Sequence, residues 1–206
     1  MQGEAVEALV SSPLILLAVV PLFLVLCTAF AKTVVVLSAL RIGLGARELL
    51  PYGVVFALAL LVTAIIMAPV AGGMFAALER LGGLPALGRL DWTDFWAVLD
   101  PLRTFLSEHA SEYELSFFSE LGGRPESDPQ VLVSAFLVTE LGEGLHVAVL
   151  ILLPFVIVDL LLAELLTLVG IQHVPVATVA LPTKVLLFLA AGGWDIIVGG
   201  LVEAYA

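Results

Sequence analysis

Residues 49–78 form a run of thirty without a charged side chain. A helix needs about twenty apolar residues to cross a bilayer, so this run is long enough to span one. Three other stretches resemble it. Residues 8–31 are uncharged and continue past Lys32 as 33–40, up to Arg41. A third stretch begins at Gly144, meets charge at Asp159 and Glu164, and ends at Gly170. A fourth, 185–202, contains Asp195. Such segments must satisfy every backbone N–H and C=O internally. The expected fold is therefore all-α, a helical membrane protein of kinked helical hairpins with about four hydrophobic segments. Composition agrees: 61% of the chain is apolar and 13% charged, against about 25% charged in an ordinary soluble domain.

The chain is expected to be one unit in three parts: an N-terminal hydrophobic hairpin (8–78), an acidic segment (79–130) and a C-terminal hydrophobic hairpin (131–206). The middle part holds ten acids and four bases, more than half of the formal net charge of −11. Within it Trp92, Phe95, Trp96, Leu99, Leu102, Phe105 and Leu106 recur at three- and four-residue spacing, the pattern of an amphipathic helix. Asp91 or Thr93 is the candidate N-cap. Leu115, Phe117 and Phe118 extend the apolar face, and Gly82-Gly83 and Gly122-Gly123 mark turns.

The acidic balance argues against nucleic acid, which needs clustered Lys and Arg. Cys27, the single cysteine, reads as a small buried apolar residue. Metal spacing, a nucleophile elbow and a glycine-rich phosphate loop are all missing from the sequence, so neither an enzyme nor a cofactor is expected. Glu4 and Glu7 precede the first run where a signal peptide would be basic, and the run is expected to be kept. Lys32, Arg41 and Arg47 fall between the first two runs and Lys184 between the last two. By the positive-inside rule these connections face the cytoplasm and the acidic segment the other side.

Prolines 13, 21, 51, 69, 154, 175 and 182 lie in or beside the apolar runs. Helix breaks are expected at Pro154, Gly170, Pro175 and Pro182. Charges inside apolar stretches cost roughly 2.5–3.5 kcal/mol each at a bilayer centre, so Lys32, Glu140, Asp159 and Lys184 are expected to pair within or between subunits. Gly142, Gly144, Gly192, Gly193, Gly199 and Gly200 would permit close helix approach.

Several motifs stand in one order. They are Lys32-Thr-Val-Val-Val-Leu-Ser-Ala-Leu40 with Arg41, Met67-Ala-Pro-Val70, Pro101-Leu-Arg103 with Phe105, Thr139-Glu140-Leu141, Leu153-Pro-Phe-Val-Ile-Val-Asp-Leu160, Gly170, Val174-Pro-Val-Ala-Thr-Val-Ala-Leu-Pro-Thr-Lys184 and Gly193-Trp194. Together they resemble the SctR/FliP family, inner-membrane components of the export gate of type III secretion systems and flagella. The likeness covers about residues 14–201. It departs at Gly142, where the family's Ser-Glu-Leu-Lys has lysine, at Leu50-Pro51-Tyr52, at Gly192 and at Ile171, Gln172 and His173, where the family often carries methionines.

The resemblance implies a homo-oligomer, described as pentameric, that winds with SctS- and SctT-like proteins around a channel for unfolded secreted substrates. It implies the bacterial inner membrane, with the assembled gate extending to the periplasmic side. Ile171, Gln172 and His173 would form the channel-constriction loop, more polar than a methionine ring. The injectisome is favoured over the flagellar system. From a different class, a small-solute or proton transporter also uses broken helices and intramembrane acids, but no inverted repeat is visible.

Overall fold

The computed structural model describes residues 21–83, 91–171 and 173–206. The greater part of the run at 8–31, its expected retention, Pro13 and Gln172 lie outside them. The described residues form eight helices and no strand: α1 (Pro21–Cys27), α2 (Phe30–Leu44), α3 (Tyr52–Arg80), α4 (Trp92–His109), α5 (Glu112–Gly122), α6 (Pro129–Leu168), α7 (Val176–Ala190) and α8 (Gly193–Glu203). By length and composition α3 and α6 can each cross a membrane. The pairs α1–α2, bent by 86°, and α7–α8, bent by 61°, qualify only if each bent pair is one broken span.

Local chemistry sets the helix ends. Asp91, not Thr93, caps α4, through a capping box with Asp94. The Asp128 side chain accepts from Gln130 N at 2.9 Å, and Pro129 opens α6 where its missing N–H has no partner to lose. At the far end of α6, Gly170 takes φ +76°. Its N–H donates to Thr167 O and that of Ile171 to Leu166 O, which closes the last turn around a left-handed residue.

The prolines divide into two groups. Gly170 and Pro175 do bracket a break. Pro154 and Pro182, expected as breaks, instead lie inside continuous helices. A proline removes a single N–H from the ladder, and continuing the helix keeps the remaining backbone paired where water is scarce. The unforeseen interruption is at Thr28-Ala29, between α1 and α2. There the Thr28 hydroxyl donates to Leu24 O, and Phe30 N donates to that hydroxyl.

Helix α2 runs beside α6 in the same direction. Lys32 lies against Gly144, and Gly43 lies against Leu152 and Phe155. Chains α3 and α7–α8 return in the opposite sense, so the α2–α3 and α6–α7 connections share one end of the bundle. The first core joins α2 and α3 to Phe155, Phe188, Ile197 and Leu201. The second joins Cys27 to Leu102, Phe105 and Leu106 of α4 and to Leu132, Ala135 and Phe136 of α6. The amphipathic stripe of α4 is thus core only in its second half, since Phe95 and Trp96 are exposed. Phe117, read as part of the same apolar face, also points outward, while Leu115 and Phe118 pack on the second core.

Candidate functional site

Two clusters of charge hold α6, nineteen residues apart in sequence, or about 28 Å along the helix. In the first, Lys32 Nζ lies 2.9 Å from Glu140 Oε1 and 2.7 Å from Glu143 Oε2. Glu140 is 0% exposed and Lys32 3%. Lys32 thus faces Oε1 of the Glu140 carboxylate, and Oε2 accepts from the Tyr205 hydroxyl. Burial, then the charge of Glu140, pushes the Tyr205 phenol well above its ordinary pKa, so it remains a donor.

In the second cluster Lys184 Nζ lies 2.5 Å from Asp159 Oδ2 and donates to Gly43 O at 3.0 Å. That carbonyl belongs to the last turn of α2, where the helix dipole favours a cation. Lys184 is buried, yet the Asp159 side chain stays 45% exposed. It faces a groove of about 830 Å³ between α6, α7 and the α2–α3 connection.

The structure therefore brings Lys32 to Glu140 and Lys184 to Asp159 within one chain. It also corrects the use of both lysines as topological charges. Neither lies in a connection: Lys32 is in the first turn of α2 and Lys184 inside α7, both buried. The reason is the ion pair, which offsets the cost of taking the ammonium out of water. Of the residues used for orientation, Arg41 and Arg47 remain near the α2–α3 connection. Arg41 Nε donates to Leu50 O at 2.5 Å and its Nη2 to Arg47 O at 3.1 Å, bracing that connection.

Ile171 is half-buried and His173 exposed, on the α6–α7 connection at the same end as Arg41 and Arg47. Sequence reasoning missed Glu143, Tyr205 and Gly43. Glu143 stands one turn after Glu140, a spacing that does place both on one helix face. No local pattern marks Tyr205.

The glycines separate cleanly. A Cβ on Gly144 would sit 3.2 Å from Lys32 Cα, and one on Gly193 would enter the Phe188 ring. Gly142, Gly199 and Gly200 meet nothing within 4 Å. The first two admit close approach inside the chain and the others leave small gaps on its surface. Large apolar side chains also line the outside of α6, from Leu145 through Leu153 and Leu160 to Leu168, the last 80% exposed. Among the described residues no group of His, Cys, Asp and Glu could hold a metal ion.

Long apolar helices with buried ion pairs and a largely uncovered apolar face define a membrane-embedded protein. Residues 14–201 match the FliP family, and the chain belongs to that family. It is 35% identical over 205 residues to the virulence protein YscR of Salmonella typhimurium, covering 94% of each chain. It is 33% identical to the hypersensitivity response secretion protein HrcR of Ralstonia nicotianae, covering 92% of this chain and 93% of that one. The flagellar biosynthetic protein FliP of Caulobacter vibrioides is 30% identical, over 92% of this chain and 73% of its own length.

Proposed function

We propose that this chain is a core subunit of a type III secretion export gate in the bacterial inner membrane. In this reading five copies, as the family resemblance implies, join SctS- and SctT-like proteins around a path for unfolded substrates. The chain has no enzymatic role there. The observation that carries the reading is the match over residues 14–201, together with the apolar surface that α6 leaves uncovered in the isolated chain. Lipid or neighbouring subunits must cover that surface, because so large an exposed apolar patch marks an interaction site.

Ile171, Gln172 and His173 form the constriction in this reading. A ring of bulky side chains, one set per subunit, blocks ions at rest and yields to a passing chain. An imidazole can gain or lose a proton where a methionine thioether cannot, so a histidine ring gives the block a pH dependence to look for. The test replaces His173 by Met and by Ala and measures ion leak through the assembled gate at acid and alkaline pH. Equal leak in all three proteins would remove His173 from the constriction. The reading as a whole is tested by deleting the gene: secretion of every substrate of the system should stop, and re-expression should restore it.

A further inference from the structure

Tyr205 follows α8 and belongs to no apolar run, yet it touches three elements remote from it in sequence. Its hydroxyl donates to Glu140 on α6. Lys32 Nζ, on α2, stands 4.4 Å from the centre of its ring. The ring stacks on Phe105 of α4 at 5.9 Å with 20° between the planes, and it packs against His109 at 5.1 Å. It also lies against both hydrophobic cores.

Two kinds of chemistry meet in this side chain. The hydroxyl donates to one oxygen of the Glu140 carboxylate while Lys32 lies against the other. A buried carboxylate oxygen without a donor is costly, so the hydroxyl fixes where that carboxylate stands. The ring attracts the Lys32 ammonium through its negative face and offers the end of α4 an aromatic surface. A second link ties the same region: Ser111 N, between α4 and α5, donates to Thr139 Oγ1, next to Glu140, at 3.0 Å.

We infer that Tyr205 is a positioning residue that latches the acidic helix α4 to the buried Lys32–Glu140 pair, its ring holding α4 and its hydroxyl holding Glu140. The coupling lies inside the chain and does not depend on the export reading. Its test therefore reads backbone exchange, not secretion.

The full chain, purified in detergent, is compared by amide hydrogen exchange as wild type, Tyr205→Phe and Tyr205→Ala. Tyr205→Ala should raise exchange about tenfold both in residues 92–109 and around residue 140, while residues 155–190 stay unchanged. Tyr205→Phe keeps the ring, so it should preserve protection of α4 and loosen only the region around Glu140. A double-mutant cycle of Tyr205→Phe with Glu140→Gln should be non-additive, because both act on one hydrogen bond. Exchange that rises equally everywhere in Tyr205→Ala, or fails to rise in α4, overturns the latch. If Tyr205→Ala does not fold, the cycle decides alone: additive effects overturn the inference.

Discussion

Glu140, in the first half of α6, is completely buried, whereas Asp159, in the second half, keeps 45% of its side chain in the open, although each meets a buried lysine. The first cluster is closed by this chain itself, with Glu143 and Tyr205 completing it. The second opens on a groove. The same pairing thus serves two ends: one fixes the internal packing of α2 on α6, and the other leaves a carboxylate at a surface that neighbours can reach.

The sharpest way to break this comparison is to remove one acid at a time. Glu140→Ala leaves buried Lys32 with only the exposed Glu143 carboxylate and the Tyr205 ring, at a cost toward the lower end of the range of about 3–5 kcal/mol for breaking a buried pair. The detergent-solubilised chain should lose that much on thermal unfolding. Asp159→Ala should cost less, about 1–2 kcal/mol, because solvent screens the pair and Lys184 keeps the Gly43 carbonyl. Equal losses would erase the distinction between closed and open clusters.

Glycine substitutions probe the same contrast with smaller effects. Gly144→Ala presses on the Lys32 backbone and Gly193→Ala on the Phe188 ring, each with an expected cost of about 1–3 kcal/mol. Gly142→Ala and Gly199→Ala meet open space. They should leave the isolated chain unchanged or stabilise it by up to about 1 kcal/mol. If they nonetheless prevent co-purification with other export proteins, those glycines are sites of contact between subunits. The smallest effect is expected away from both clusters. Asp91→Ala removes the capping box of α4 and should cost about 1 kcal/mol, read as faster amide exchange in the first turn of that helix.

The sequence made the long helices legible because charge-free length is a local property, and residues 49–78 and 144–158 needed no tertiary information. It also named the four residues of the two ion pairs, since an isolated charge in an apolar run demands a partner. It did not say which carboxylate meets which lysine. Lys32 and Glu140 are joined across more than a hundred residues, and only the parallel course of α2 and α6 brings them together. The same ignorance of depth misled the orientation argument, which counted Lys32 and Lys184 as solvent-facing. Pro154 and Pro182 failed as breaks because a proline's effect depends on whether the backbone around it has any better alternative than helix. The bend at Thr28-Ala29 was hidden for a related reason: a threonine hydroxyl bonding backwards along a helix leaves no distinctive pattern. Tyr205 was out of reach altogether, because its importance lies in contacts with three distant elements.

The chain's relatives are parts of secretion and flagellar export systems, and we propose that neighbouring subunits cover part of its exposed α6 surface. The direct measurement is the composition and mass of the particle obtained when a tagged chain is expressed with its neighbouring export proteins and purified in mild detergent. The account predicts one stable particle containing several copies of this chain with SctS- and SctT-like proteins. A chain that purifies alone as a small homo-oligomer, and moves a solute or protons when reconstituted into vesicles, would contradict it.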